Sequence, residues 1–340
     1  MLRYIRVLTV ALFSIVFAVT SYAQDEPDLV RVILNQQLSQ SHFFIADAEG
    51  YFAAQNIDFE PIFVARISDA SSYALLFSGE AEALQGAWTP GIFNAVTRDQ
   101  ELRAVASAAY DATGHCPYGA FVVDEGRVDN FDMESLRGAT VTMPAGLTRF
   151  YLDKYLTDFG MSVEDVVFED IPQAARGEAV MNNSIELAWL NEPALSRLVN
   201  ANELDVLVGA GDIVPDGSQG GLFIGPTMLN RDDDLPVRFL TAYLQGIRQF
   251  NEGPTERNLE ILAPILEQEP ESLAEGCWIS MRHDGEVYID PVIEYQQWSY
   301  EQGEVDAIVP VEEFYDPTYI QAANERLAEM ATPEATAESE

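Results

Sequence analysis

From residue 28 the apolar positions alternate between two periods, one typical of buried strands and one of amphipathic helices. Leu29–Leu34 reads as a short strand, and Ser39 or Ser41 caps a helix whose apolar face holds Phe43, Phe44, Ile45, Ala48 and Phe52. Gly50 weakens the last turn of that helix. The pattern then predicts a strand over Ile57–Val64, a helix over Asp69–Phe77 stopped by Gly79, and a strand over Glu82–Trp88. A helix follows Pro90, and a strand covers Leu102–Ala108.

The alternation resumes after residue 130. Val141–Met143 is a strand, Pro144-Ala145-Gly146 a turn, and Thr148 starts a helix with Tyr151, Leu152, Tyr155, Leu156 and Phe159 on one face and Gly160 as its stop. Strand Val166–Phe168, a helix after Pro172, strand Ile185–Leu190, a helix from Pro193 and strand Leu204–Val208 follow. Strands that alternate with helices imply an α/β fold with parallel pairing and helices on both sheet faces, and two such series imply two lobes. The last third is mostly helical. Asp232–Asp234 and Pro236 mark the start of a helix carrying Val237, Leu240, Leu244, Ile247 and Phe250. Further helices are predicted over 256–267, 291–302 and 317–330, and the small acidic stretch 331–340 reads as a disordered tail.

The first 23 residues change the picture of where the protein works. Arg3 and Arg6 precede the apolar run 7–20, and Ser21-Tyr22-Ala23 places small residues before Gln24, as in a cleaved export signal. No cysteine follows that site, so a lipid anchor there is not expected. Export makes a periplasmic or extracellular location the expectation. Charge adds a second constraint: 18 Lys and Arg stand against 56 Asp and Glu, a formal net charge of −38. Such a surface repels nucleic acid and anionic lipid, and its scattered acids read as solvated surface. Cys116 and Cys277 are the two cysteines; an oxidising compartment permits a disulfide between them, and two free buried thiols are the alternative. With His42, His115 and His283 they form no zinc-type spacing, so neither metal nor cofactor is expected.

Four stretches resemble, in order, the substrate-binding proteins of ABC importers in the nitrate/sulfonate/taurine and thiamine-precursor (NMT1/THI5-like, SsuA/THI5-like) group. They are FFIADAEGYFAAQNIDFEPIF (43–63), LLFSGEAEALQGAWTP (75–90), LRGATVTMPAGLTRFYLDKYLTDFGMSVEDVVFED (136–170) and ARGEAVMNNSIELAWLNEPAL (175–195). The resemblance implies a type II periplasmic-binding-protein fold with the ligand cleft between two lobes. Lobe 1 would comprise 28–118 plus 229–330, and lobe 2 would comprise 119–228. The sulfonate-type loop often carries Gly-Ser, whereas this chain has Gly146-Leu147-Thr148, which removes one hydroxyl donor.

Cleft positions follow from strand ends and helix starts, where open α/β sheets bind ligands. Gly146, Leu147 and Thr148 offer free amides to an anion, and Arg149 either pairs with that anion or faces solvent. Ser39, Gln40, Ser41 and His42 sit at the first strand-to-helix turn. Trp88, Tyr110 and Asp111 follow strands, His115 lies in the loop before the crossing strand, and Trp189, Asn191 and Glu192 end another. Glu192 is also read as a helix start.

Enzyme signatures such as Gly-x-Ser-x-Gly or His-Glu-x-x-His are absent from the sequence. The expected function is therefore capture of a small organic or anionic solute (sulfonate, carboxylate or pyrimidine-like) by a monomer that docks on an ABC permease. Alternatives are a ligand-sensing receptor domain and a thiamine-pyrimidine synthase, the latter disfavoured by the lack of a histidine-rich cluster.

Overall fold

In the computed structural model each of the two runs of alternating strand and helix builds its own five-stranded sheet, the first one completed by a strand that returns from after the second run. The model describes residues 26–331 apart from Arg66, Ser68, Asp69, Ala108, 113–116 and Ala145. The expected signal peptide, the tail 332–340, and the candidates His115 and Cys116 therefore lie outside the described residues.

The first run comprises β1 (Asp28–Leu34), α1 (Ser41–Ala48), α2 (Tyr51–Ala54), β2 (Ile57–Phe63), α3 (Ala70–Ser78), β3 (Ala83–Ala87), α4 (Pro90–Val96) and β4 (Arg103–Ala106). The second comprises β5 (Gly119–Asp124), β6 (Thr140–Thr142), α5 (Leu147–Thr157), β7 (Val167–Phe168), α6 (Gln173–Met181), β8 (Leu187–Asn191), α7 (Ala194–Asn200), β9 (Leu204–Gly209) and α8 (Ala210–Ile213). The chain then returns through β10 (Gly220–Ile224) and α9 (Pro226–Leu229) to α10 (Leu235–Phe250), α11 (Glu256–Ile265), α12 (Pro270–Glu275), α13 (Asp290–Glu301), α14 (Val311–Phe314) and α15 (Thr318–Ala331). The helix expected across residues 43–52 is divided at Gly50, where the backbone turns left-handed.

Strand order is β2-β1-β3-β10-β4 in the first sheet and β7-β6-β8-β5-β9 in the second. β1 pairs in parallel with β2 and β3, and β6 with β7 and β8. The pairing is not parallel throughout, as the alternation implied. β10 runs antiparallel to β3 and β4, and β5 antiparallel to β8 and β9. Both strands continue a segment that crosses between lobes, so each enters its sheet from the end where the other strands finish. The crossing also moves a boundary. The sequence assigned 119–228 to the second lobe, whereas Gly220–Ile224 already pairs within the first sheet.

Both faces of β1 are covered: Val30, Val32, Ile33 and Leu34 are buried, as expected for a strand under helices on two sides. One of those helices, α10, buries Phe239, Leu240, Tyr243, Leu244, Ile247 and Phe250. It packs so closely on α1 that a β-carbon at Gly246 would collide with the His42 carbonyl oxygen. Gly246→Ala is therefore expected to force the two helices apart and lower stability by about 1–3 kcal/mol, measured as a shift in the urea unfolding midpoint with an unchanged slope.

Candidate functional site

The strand ends of the two sheets face a common void of about 1290 Å³. Two crossing segments close its back, and they run antiparallel as a short zip. Asp111 N–H donates to the Gly217 carbonyl at 3.1 Å, Asp216 N–H to the Asp111 carbonyl at 2.9 Å, and Gln219 N–H to the Ala109 carbonyl at 3.2 Å. Helix α13 bridges the lobes, packing against α4 of the first and α5 of the second. Phe150 of α5 meets Tyr295 and Trp298 of α13, each at 5.8 Å between ring centres. Trp298 Nε1 donates to Asp153 at 2.8 Å, and Lys154 pairs with Glu294.

On the second-lobe wall, Gly146, Leu147, Thr148 and Arg149 all line the void. Gly146 has φ +86°, and no side chain caps α5. The Arg149 and Phe150 amides turn back to the Gly146 carbonyl, at 2.9 and 3.3 Å. The Leu147 and Thr148 amides donate to nothing among the described residues. Leu147, the departure from the sulfonate-type loop, buries its side chain in the core, so its contribution to the wall is its N–H. Arg149 pairs with Glu304 at 3.2 Å and lies over the Phe168 ring at 4.5 Å. Its Nε has no partner. Asn191 also lines the void and accepts from Trp189 Nε1. The Trp189 ring is buried against Phe121 at 4.9 Å, so it reaches the void only at its edge.

The sequence reading missed Arg176 on α6, which is buried and lines the same wall while its Nε donates to the Ile171 carbonyl at 2.9 Å. Its place one turn after Pro172 was the available signal.

The first-lobe wall is mostly uncharged, with Arg98 as its one cation among the described lining residues. Ser39 and Gln40 line it, together with Gln85, Tyr73, Tyr118 and Gln219. Gln40 works as a strut: its Oε1 accepts from the Asn35 amide at 2.6 Å and its Nε2 donates to the Gln85 carbonyl at 3.1 Å. The amide thus ties the end of β1 to β3.

Several predicted contacts lie elsewhere, and packing explains each. Ser41 and His42 are fully buried beneath the wall. Neither His42 nitrogen has a partner, and burial lowers the ring's pKa to about 3. Trp88 is also fully buried, packed on Phe223 at 5.1 Å and Phe314 at 6.2 Å. Its position at a strand end is right, but its side chain faces the core. Tyr110 pairs with Ser218 across the zip and stacks under Arg282. Asp111 lies behind the wall, accepts from Gln219, and burial pushes its carboxyl well above the usual range. Glu192 holds the start of α7, accepting from the Ser196 hydroxyl at 2.8 Å and amide at 3.2 Å. Cys277 is disulfide-bonded, and Cys116 is the chain's other cysteine.

The NMT1/THI5-like family model matches residues 38–257, more than half of the chain, and the chain belongs to that family. No curated protein matches it. Among solved structures, it is similar to the periplasmic aliphatic sulphonate binding protein SsuA of Escherichia coli, with TM-score 0.69 and 14% identity over 87% of this chain and 100% of that one. It is similar to the periplasmic nitrate-binding protein NrtA of Synechocystis PCC 6803, with TM-score 0.64 and 13% identity over 89% of each chain. The desulfurization enzyme DSZB shares the architecture too, with TM-score 0.61 and 11% identity over 88% of this chain and 99% of that one. The fold is the two-lobed periplasmic-binding-protein fold with a cleft between the lobes.

Two outcomes follow from the burial pattern. Trp88→Ala should cost about 3–5 kcal/mol of unfolding free energy, read by denaturant titration. A stable variant that merely loses a ligand would contradict the core assignment. Burial raises the Glu192 pKa to about 7 from 4.5, so the folded state prefers the protonated acid. That preference is fully present below about pH 4.5 and is lost as pH rises through 7. Glu192→Gln should therefore gain on the wild type by of order 2 kcal/mol between pH 5 and pH 8, measured by paired melts.

Proposed function

We propose that this chain is a solute-binding protein of an ABC importer, working outside the cytoplasm as a monomer and delivering one small organic anion to a membrane permease. The observation that carries this reading is the composition of the cleft. One wall presents the unbonded amides of Leu147 and Thr148 at the N-terminus of α5 beside Arg149 and Arg176, with Glu169 and Asp170 further along it, and the facing wall presents amides, hydroxyls and Arg98. A helix N-terminus with free N–H groups and its positive dipole end suits a sulfonate, carboxylate or similar oxyanion. The void exceeds the volume of a bare inorganic anion, which favours an organic body behind the charged group.

The net charge of −38 does not oppose this reading. At physiological salt, charges on the outer surface are screened beyond about 8 Å, whereas donors inside the cleft act directly on a bound anion. Export fits the apolar segment at 7–20, and among the described residues no helix is long and apolar enough to cross a membrane. The zip at Asp111–Gln219 supplies the hinge. Ligand that bridges both lobes favours the closed arrangement by its differential affinity for it. SsuA and NrtA, by their names, bind sulphonates and nitrate, and the first of these classes matches the wall better on size.

A chemical step is the rival reading, because DSZB shares the fold. It draws no support from the described lining, which holds neither cysteine nor histidine.

Titration calorimetry against aliphatic sulfonates and carboxylates should find one site with a Kd at or below the micromolar range. Leu147→Pro removes one amide donor at a helix position that tolerates proline. It should weaken binding about tenfold or more, whereas Leu147→Ala, which gives up the same buried side chain but keeps the amide, should lower Tm and leave the affinity close to that of the wild type. Turnover of the bound compound, or binding unaffected by the proline, would overturn the proposal.

A further inference from the structure

One buried amide on the first-lobe wall is committed at one end and open at the other. Gln85, on β3, is 7% exposed and lines the void. Its backbone carbonyl is taken by the Gln40 strut, and its Oε1 accepts from the Tyr243 hydroxyl at 3.4 Å. Its Nε2 donates to nothing among the described residues and reaches the cleft. Tyr243 comes from α10, on the sheet face that α1 also covers, and is fully buried, wedged edge-on against His42 at 4.6 Å and Phe43 at 5.3 Å. Its ring cannot swing, and burial raises its pKa, so its hydroxyl stays a donor. With that O–H aimed at Oε1, the carboxamide is turned with its N–H2 toward the cleft.

We propose that Gln85 is a specificity subsite that donates a hydrogen bond to a carbonyl-type acceptor on the body of the solute, and that Tyr243 is the residue that positions it. This rests on the cleft being the solute site. An amide N–H2 facing a cleft that closes and expels water needs an acceptor, and a solute lacking one leaves it unpaired. Discrimination of this kind comes from the unpaired group in the site more than from lost contact area.

The test compares two kinds of sulfonate by titration calorimetry on the full chain. N-acetyltaurine and N-acetylhomotaurine carry a carbonyl; pentanesulfonate and hexanesulfonate do not. Wild type should prefer the better acylated probe over the better alkyl one by about tenfold or more. Gln85→Leu should abolish that preference by weakening the acylated probes and, with the unpaired donor gone, tightening the alkyl ones. Tyr243→Phe keeps the Gln85 side chain but frees it to rotate, and should shrink the preference in the same direction. If Gln85→Leu does not fold, Tyr243→Phe decides by the loss or retention of the preference. Equal weakening of both probe classes in Gln85→Leu, or no preference in wild type, overturns the subsite alone. Failure of all four probes to bind wild type overturns the solute-site reading together with it.

Discussion

The approach of Gly146 to the opposite lobe is the constraint on which the cleft depends. A β-carbon at Gly146 would lie 3.1 Å from the Tyr295 hydroxyl and 3.3 Å from the Trp88 carbonyl oxygen. A residue with a side chain is therefore disfavoured twice, by space and by the left-handed φ of +86°. Because the backbone passes so near, the N-terminus of α5 opens into the cleft instead of onto the surface. The Trp88 ring lies in the core, while its neighbours Ala87 and Thr89 line the void. Helix α13 stabilises the arrangement through Tyr295 and Trp298, which continue one apolar cluster from the first lobe into the second.

Charge is organised to fit this geometry. The exposed acids give the chain its large negative total, yet cations are concentrated where structure needs them. Arg238 joins Asp28 to Asp234, tying β1 to the start of α10. Arg149 reaches Glu304 across the interlobe boundary while its guanidinium rests on Phe168. These pairs are part-buried and still partly screened by solvent, so each contributes modestly on its own. Their value here is placement: they hold a positive group at the wall of a cleft inside an otherwise anionic molecule.

Much of the architecture was legible in the sequence because strand and helix periods differ clearly over 28–108 and 141–208. Glycines and prolines marked most boundaries within a residue or two, as at Gly79, Pro90 and Gly160. Strand direction was not legible, since β5 and β10 look locally like any buried strand and their orientation is set by the crossings. The site was half legible. Strand ends and helix starts identified the Gly146–Arg149 loop and the Ser39–Gln40 turn. Position along a strand does not say which face a side chain takes, so Trp88 and His42 read as cleft residues although both are core. Gln85 carried no local signal that separates it from ordinary polar positions, and Arg176 carried only its place one turn after Pro172. Gln85 matters because a distant element, α10, orients it, whereas Arg176 is oriented locally by the Ile171 carbonyl.

The account stands or falls on whether a single small molecule occupies the space between the lobes. Non-denaturing mass spectrometry of the intact protein, exposed to a size-filtered pool of organic acids and sulfonates, addresses that point directly. One saturable adduct per chain, needing about tenfold or more solute to saturate in the Leu147→Pro variant, is the result the account requires. No adduct from any component of the pool, or several that fail to saturate and persist unchanged in the variant, would contradict it.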